Sequence, residues 1–320
     1  MEGMTYDKLR QQWKDNSPCI EAHTSGSTGT PKRICLPKDM MLRSAQRTIS
    51  YFGITHSSHL YSCISPQFIG GKMMLIRAIV AGCEFEYELP SNHPQIGDRS
   101  RLYDLVSVVP SQMHHILQSP HILAHVKNFL VGGSAIPLPL REAIAKAGIT
   151  AYESYGMTET ASHIALRRIG LDDKPFSVLP GISLSADKRG CLVIDMGIDG
   201  VVVTNDIVEF ADEAKNLFHI LGRVDDVIIT GGMKVHPAQV EKLLSPLFPD
   251  INICVTSCPD ALWGSRVILL VETDCLANTG DIMQKMHELM PPHCIPKEIR
   301  PVSTLPRTAS GKIIRRPLND

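Results

Sequence analysis

The sequence has no long apolar run and no excess of charge of either sign. No segment of the chain approaches the ~20 consecutive apolar residues that a membrane-spanning helix needs. The first residues, 1–17, are polar and charged, without the apolar core of a secretory signal. The 32 basic and 33 acidic residues leave a formal net charge of -1, which gives no electrostatic basis for binding nucleic acid or an anionic membrane. We therefore expect a cytoplasmic protein.

The nine cysteines do not form a recognisable set of zinc ligands. Cys254 and Cys258 have the spacing C-x3-C, but no second pair lies near them in the sequence. A structural zinc site usually needs four protein ligands. We therefore expect reduced, buried thiols, as is usual in a cytosolic protein.

Short apolar runs alternate with helical patterns over the first half of the chain. Cys19 to His23, Tyr61 to Ser65 and Leu105 to Val109 are predicted strands, and this alternation indicates an α/β fold with a parallel sheet. After about Pro180 the apolar runs become short and rich in β-branched residues, which predicts a small antiparallel β region. The last hundred residues mix strands and helices, as in a small α+β domain. We predict two domains, 1–222 and 223–320.

A loop rich in glycine, serine and threonine runs from Thr24 to Lys32, directly after the first predicted strand. Its glycines let the backbone turn tightly and bring N–H groups close to a ligand. Its hydroxyls add hydrogen-bond donors and Lys32 adds a positive charge. These are the groups that bind a polyphosphate, although the Gly-Lys-Ser/Thr signature of a Walker A loop is absent. The alternative is a polar surface loop without a ligand.

Three further segments carry residues suited to chemistry. Tyr155-Gly156-Met157-Thr158-Glu159 follows a predicted strand end, where open α/β sheets bind ligands, and its glutamate suits Mg2+. Gly222-Arg223-Val224-Asp225-Asp226 lies at the predicted domain junction and favours a hinge. Lys312 follows a glycine near the C-terminus, where a mobile turn can carry its charge into a site. The alternatives are a core tyrosine, an ordinary interdomain turn and a solvated basic tail.

Together these four segments resemble the adenylate-forming enzyme family of acyl- and aryl-CoA synthetases, adenylation domains and luciferases. They match the family's phosphate loop, its Tyr-Gly-x-Thr-Glu motif, its Gly-Arg-x-Asp-Asp hinge and its Pro-Arg-Thr-x-x-Gly-Lys motif. One match alone could arise by chance, but four in the family's order across almost the whole chain are specific. The resemblance implies a large N-terminal α/β domain and a small mobile C-terminal α+β domain that carries the catalytic lysine.

The resemblance also implies a role for each matching residue. Asp225 would be the hinge, Lys312 the catalytic lysine of adenylation, and Glu159 the ligand of Mg2+. The other implied roles are phosphate binding by Thr24, Ser25, Gly26, Ser27, Thr28, Gly29, Lys32 and Thr158; contacts with adenine by Gly132, Gly133, Ser134, Ala135, Tyr155 and Gly156; ribose binding by Asp206 and Arg223; and a tunnel for the thiol of CoA at Gly231 and Gly232.

The reaction implied by the resemblance has two halves and uses ATP, Mg2+ and CoA. A substrate carboxylate attacks the α-phosphorus of ATP, which gives an acyl-AMP and pyrophosphate. The C-terminal domain then turns about Asp225 and carries Lys312 away. The thiol of CoA attacks the acyl-AMP and releases AMP, so the domain movement separates the half-reactions.

The sequence departs from the family pattern in three places. The phosphate loop begins at Thr24, whereas family members usually have a long preceding subdomain, so we expect a shortened member. Phe68 stands where many members have histidine, and Asn205 replaces the commoner glycine between Thr204 and Asp206. These changes affect the expected acyl substrate more than the expected chemistry.

The compact length is similar to that of the o-succinylbenzoate–CoA ligases of menaquinone biosynthesis, which makes this acid the expected substrate. Ser111 and His115 are one helical turn apart, and either could bind a second carboxylate. The expected acyl pocket contains Phe68, Gly70, Ser111, His115 and Gly132, with Gly71, Ser107 and Pro110 nearby.

Two alternatives to this function stay open. One is another acyl- or aryl-CoA synthetase, or an adenylation enzyme that loads a carrier protein. The other is a non-catalytic nucleotide-binding protein, but retention of both Lys312 and Glu159 argues against it. A homodimer that covers exposed sheet edges is compatible with the sequence but not required by it.

Overall fold

The computed structural model describes residues 4–24, 32–97, 100–249, 251–274, 279–308 and 313–318. Over these residues, α-helices and strands alternate through the first half of the chain, as the apolar pattern predicts. The helices are α1 Tyr6–Lys14, α2 Lys38–Phe52, α3 Ile69–Ala81, α4 Pro110–Leu117, α5 Pro120–Ala124, α6 Leu138–Lys146, α7 Pro237–Leu244 and α8 Thr279–Leu289.

The strands of the same residues form one large sheet and three small ones. Their bounds are β1 Cys19–His23, β2 Arg33–Pro37, β3 His59–Ser62, β4 Glu84–Tyr87, β5 Leu105–Val108, β6 Phe129–Val131, β7 Ala151–Met157, β8 Ser162–Arg168, β9 Phe176–Val178, β10 Ser183–Ala186, β11 Cys191–Asp195, β12 Val201–Phe210, β13 Leu217–Arg223, β14 Ile228–Thr230, β15 Met233–Val235, β16 Ile253–Asp260, β17 Gly264–Glu272 and β18 Glu298–Val302.

The large sheet has eleven strands in the order β10-β11-β12-β13-β9-β8-β7-β6-β5-β3-β4. The strands from β4 to β7 are parallel, whereas β7 pairs antiparallel with β8, and every later pairing in this sheet is antiparallel. The predicted α/β fold with parallel strands is confirmed. The predicted antiparallel β region is present as β10 to β13, and these strands extend the large sheet.

Helix α2 shows how the apolar pattern fixes the packing of the first layer. Met40, Met41 and Ala45 are at most 5% exposed, and Ile49 packs against them in part. The helix ends at Gly53, whose positive φ of 63° suits a residue without a side chain. The apolar face predicted for this helix therefore covers the sheet through the core that it shares with α3.

The last third of the chain has its own sheet and its own core. Strands β16 and β17 are antiparallel, β17 and β18 are parallel, and β14 and β15 form a separate hairpin. Helices α7 and α8 cover one face of this sheet through Val240, Leu244 and Met286, which are buried with Val255 and Leu269. This unit has the α+β character predicted from the mixed pattern.

The cysteines differ from expectation at one pair. Cys19 and Cys35 are joined by a disulfide between β1 and β2, with Cα atoms 5.6 Å apart. The expectation of reduced thiols is therefore wrong at these two residues. It fits the described residues Cys63, Cys83, Cys191, Cys254, Cys258 and Cys294, which are free thiols. Within the described parts of the chain, no helix is long and apolar enough to cross a membrane.

Candidate active site

The hairpin β1–β2 carries the predicted phosphate loop. The backbone N–H of Thr24 donates to the carbonyl of Lys32 at 2.9 Å, and the N–H of Lys32 donates to the Thr24 hydroxyl at 3.3 Å. These bonds close the base of the loop. Ser25, Gly26, Ser27, Thr28 and Gly29 lie outside the described residues, so their predicted contacts stay predictions.

The turn that carries Thr158 and Glu159 lies against this loop base. The Thr158 hydroxyl donates to the carbonyl of His23 at 3.4 Å, although 135 residues separate the two in sequence. Thr158 is buried, and Glu159 is exposed beside it. The fold therefore brings together the phosphate loop and the segment to which the family resemblance assigns a phosphate contact and the Mg2+ ligand.

Local backbone geometry holds this turn in an unusual shape. Ala161 and Ser162 have φ values of 50° and 92°, in the region that side chains other than glycine rarely adopt. The Thr160 hydroxyl bonds to the carbonyl of Ser162 at 2.6 Å, which ties the turn together. At Gly156 a Cβ would lie 2.2 Å from that same carbonyl oxygen, so only glycine fits where β7 and β8 approach.

A buried arginine supports the strand that leaves the turn. Arg77 of α3 is fully buried, and its Nη2 lies 3.2 Å from the Ser162 hydroxyl and 3.3 Å from Nδ1 of His163. The other ring nitrogen of His163 lies 3.0 Å from the Thr48 hydroxyl. Burial, with the charge of Arg77, lowers the pKa of His163 well below its usual value, so the imidazole is neutral. Sequence reasoning missed this network because an arginine inside an apolar helix gives no local signal of its partners.

The predicted adenine and ribose residues converge on one carboxylate. Tyr155 donates its hydroxyl to Oδ2 of Asp206 at 2.6 Å, and Arg223 donates to Oδ1 at 3.1 Å. Asp206 and Arg223 face each other in the pairing of β12 with β13. Burial and the adjacent Asp206 raise the pKa of Tyr155 well above its usual value, so the hydroxyl keeps its proton.

The predicted hinge residue Asp225 is held from two sides. Arg223 donates to its Oδ2 at 2.8 Å, and the side-chain amide of Asn205 lies 3.1 and 3.0 Å from its two oxygens. Burial raises the pKa of the next residue, Asp226, and nearby Arg315 opposes that shift. Asn205 was noted in the sequence only as a departure from glycine, because its contact with Asp225 is not local.

The glycine pair after β6 lies at the carboxyl end of the parallel strands, where ligands bind in open α/β sheets. A Cβ on Gly132 would lie 2.4 Å from the Ser154 hydroxyl, and Gly133 has a φ of 97°. The backbone N–H of Gly132 also donates to Val108 of the neighbouring strand at 3.1 Å. Gly132 therefore lies directly after the end of β6, next to β7, the strand that carries Tyr155.

The predicted acyl-pocket residues divide into two groups. Phe68 is 40% exposed, and Ser111 and His115 are at least partly exposed on α4. Nδ1 of His115 lies 3.2 Å from Nδ1 of His93, which sequence reasoning did not select. In contrast, Ser107 is buried and donates to the hydroxyl of Ser62 at 3.0 Å, so its side chain is used in the core.

The remaining predicted residues lie in the C-terminal region. Gly231 and Gly232 form the turn between β14 and β15, with φ values of 54° and 79°. The ring of Trp263 packs so closely that a Cβ on Gly231 would lie 2.6 Å from it. Lys312 is outside the described residues. On either side of it, the backbone N–H of Ile314 donates to the carbonyl of Pro306 at 2.8 Å.

Glu159 is the side chain predicted to bind Mg2+. Among the described residues, no group of three or more His, Cys, Asp or Glu side chains could hold a metal ion. Mg2+ is commonly bound through one or two carboxylates together with substrate phosphates and waters. An exposed Glu159 beside the phosphate-loop base is consistent with that arrangement.

Two sequence models of known families match the chain. The model described as AMP-binding enzyme matches residues 3–187, and the model described as AMP-binding enzyme C-terminal domain matches residues 240–312. Together they cover the phosphate loop, the Tyr155–Glu159 segment and Lys312.

Among curated proteins, the chain is similar to enzymes that share one name. It is 28% identical to a 2-succinylbenzoate–CoA ligase of Listeria monocytogenes serotype 4b (strain F2365), over 98% of this chain and 72% of the relative. It is 29% identical to a probable 2-succinylbenzoate–CoA ligase of Mycobacterium tuberculosis (strain ATCC 25618 / H37Rv), over 95% of this chain and 84% of the relative.

Solved structures of adenylate-forming enzymes share the fold. An acyl-CoA synthetase (AMP-forming)/AMP-acid ligase II-like protein from Dyadobacter fermentans has a TM-score of 0.63 at 28% identity, over 97% of this chain and 91% of that chain. The o-succinylbenzoate CoA synthetase of Bacillus subtilis, in complex with its acyl-adenylate intermediate, has a TM-score of 0.76 at 22% identity, over 92% and 67%. The fold implied by the four motifs is confirmed.

Proposed function

We propose that this chain, which belongs to the AMP-binding enzyme family, is an ATP-dependent carboxylate–CoA ligase whose acyl substrate is o-succinylbenzoate. The observation that carries the chemistry is the convergence of the Thr158 turn on the base of the phosphate loop, beside the Tyr155–Asp206–Arg223 cluster. The names of the similar curated ligases support the choice of acid. The location that goes with this function is the cytoplasm.

In the first half-reaction, the protein positions the two substrates and stabilises charge. A carboxylate oxygen attacks the α-phosphorus, the bond from that phosphorus to the bridging oxygen breaks, and pyrophosphate leaves. Thr24, Lys32 and Thr158 bind the phosphates, and Lys312 stabilises the charge that develops at the α-phosphate. Mg2+ held at Glu159 would neutralise phosphate charge. Tyr155 contacts the adenine, while Asp206 and Arg223 bind the ribose.

In the second half-reaction, the sulfur of CoA attacks the acyl carbon of the acyl-AMP. The carbon–oxygen bond to the phosphate breaks, AMP leaves and the thiol loses its proton to solvent. We assign residues 1–222 and 223–320 to the two domains, with Asp225 as the hinge between them. The end of β13 at Arg223 and the separate core of the last third of the chain support this boundary.

The test is formation of AMP that depends on both o-succinylbenzoate and CoA, run beside ATP–pyrophosphate exchange with a panel of carboxylic acids. If ATP–pyrophosphate exchange occurs with another acid and not with o-succinylbenzoate, that other acid is the substrate. No exchange with any acid would refute the enzyme function. Lys312→Ala is the matched control, because it should abolish exchange yet largely spare thioester formation from supplied acyl-AMP. Equal loss of both half-reactions would contradict the separate use of Lys312.

A further inference from the structure

The side chain of Asn205 joins the large sheet to the proposed hinge. Asn205 lies in β12, one residue before Asp206, and its Nδ2 is 3.1 Å from Oδ1 and 3.0 Å from Oδ2 of Asp225. One amide group therefore contacts both oxygens of one carboxylate. A hydrogen bond to a charged acceptor is stronger than one between neutral groups.

The orientation of this amide is fixed by a second contact. Arg189 donates from Nη1 to Oδ1 of Asn205 at 3.1 Å, so the amide oxygen faces the guanidinium and the amide nitrogen faces Asp225. Arg189 is itself held by the carbonyl of Thr204 at 3.2 Å and by Asp187 at 2.8 Å. Arg189 therefore orients the amide of Asn205 independently of its contact with Asp225.

The two partners of Asp225 differ in where they come from. Arg223 is two residues away and belongs to the same segment. Asn205 is 20 residues away in a strand with neighbours on both sides, β11 and β13. A rotation of the backbone at Asp225 must break the contact with Asn205, because that strand is fixed in the sheet. A glycine, which is commoner at this position, has no side chain to make the contact.

We propose that Asn205 is a positioning residue that holds Asp225 in the orientation seen here and so sets the balance between the two orientations of the C-terminal domain. This inference rests on the proposed function, in which each orientation serves one half-reaction. Loss of the contact destabilises the orientation of the C-terminal domain seen here and leaves the ATP-binding groups in place. It therefore changes the ratio of the two half-reaction rates and leaves KM for ATP unchanged.

The experiment measures both half-reactions in Asn205→Ala and Asn205→Asp. Adenylation is followed by ATP–pyrophosphate exchange and thioester formation by mixing CoA with supplied acyl-AMP. The expected result for Asn205→Ala is a change of about fivefold in the rate ratio, as for loss of one hydrogen bond to a charged group near solvent. Asn205→Asp places like charges together, so the ratio should move further in the same direction and return partly at high salt.

The matched control is Asn128→Ala. Nδ2 of Asn128 donates to the carbonyl of Asp104 at 3.0 Å, so this variant removes an asparagine hydrogen bond directly before β6 of the large sheet, away from the hinge and from the Lys312 segment. Its rate ratio should equal that of the wild type. A wild-type ratio in both Asn205 variants, or a parallel fall of both half-reactions, would overturn the proposal.

A second measurement tests the contact between Asn205 and Asp225 without depending on catalysis. If the wild type shows no exchange with any acid, the function is refuted, and hydrogen–deuterium exchange of 223–230 in the ligand-free protein then tests the contact alone. Faster hydrogen–deuterium exchange in Asn205→Ala than in Asn128→Ala would support the contact of Asn205 with Asp225. Equal exchange in these two variants and the wild type would overturn it.

Discussion

Arg315 ties the segment that follows Lys312 to the hinge, and Arg315→Met tests how much this connection stabilises the C-terminal region. The guanidinium binds both oxygens of Glu241 on α7, with Nε at 3.2 Å from Oε1, and its Nη1 lies 3.6 Å from Oδ2 of Asp226. The side chains of Arg315 and Glu241 are only 23% and 15% exposed. Glu241 also accepts the backbone N–H of Val255 at 2.7 Å.

The expected loss follows from leaving a buried carboxylate without its cation. Removal of one partner of a buried ion pair costs about 3 to 5 kcal/mol, and partial exposure of Arg315 places this case near 3 kcal/mol. Methionine keeps most of the apolar contact, so lost packing adds little. Adding Glu241→Gln should recover most of the loss, because glutamine still accepts the Val255 N–H and carries no charge.

The loss should depend on pH in a defined direction. Burial raises the pKa of Glu241, and the charge of Arg315 opposes this rise in part. Removal of the Arg315 guanidinium therefore raises the pKa of Glu241 further. When a carboxyl has a higher pKa in the folded state than in the unfolded state, the free energy of unfolding falls as pH rises. The fall begins near the unfolded pKa, about 4.3, and ends above the folded pKa. The difference in stability between Arg315→Met and the wild type should therefore shrink as pH is lowered towards that unfolded value.

The assay is urea unfolding followed by the fluorescence of Trp263, in a background where the other tryptophan, Trp13, is phenylalanine. ATP–pyrophosphate exchange in the folded variant reports the effect on the Lys312 segment, and it should fall more than thioester formation from supplied acyl-AMP. A double variant as unstable as Arg315→Met, or a loss that does not change with pH, would refute the reasoning.

Two more variants test the site. Gly156→Ala should cost about 3 kcal/mol in the free energy of urea unfolding, because its Cβ would lie 2.2 Å from the carbonyl oxygen of Ser162, whereas Gly170→Ala meets only open space and should be near neutral. Equal stability of these two alanine variants would contradict the close approach of the strands. Asp206→Asn keeps the shape of the side chain but removes the charge that holds Arg223 at 3.1 Å, so KM for ATP should rise about tenfold with a smaller change in kcat. A KM equal to that of the wild type would count against a ribose contact at Asp206.

Most elements were predictable because their apolar periodicity is local. The strand Cys19–His23 and the helix Pro237–Leu244 have the bounds that their sequence patterns predict. The antiparallel β region was also predictable, but its junction with the parallel strands through β8, β9 and β13 was not. Strand pairing between distant segments leaves no mark in a window of a few residues.

The site was predictable to the extent that its motifs contain their own chemistry. A glycine-rich turn, a carboxylate and a lysine can be recognised in the sequence alone. Their order along the chain supported the family resemblance, and the resemblance then assigned their roles. The disulfide between Cys19 and Cys35 was not foreseen, because 16 residues separate them and only the hairpin pairing brings them together.

The sequence by itself determined the family, the alternation of helices and strands, and the identity of the groups that can contact ATP. The tertiary structure decided which of these groups meet. Asn205 reaches Asp225 because the large sheet places β12 beside β13, whereas Thr158 reaches the carbonyl of His23 through the packing of the large sheet against the separate β1–β2 hairpin. Residue type sets what a side chain can bind, but the distance between two side chains depends on the packing of the whole chain.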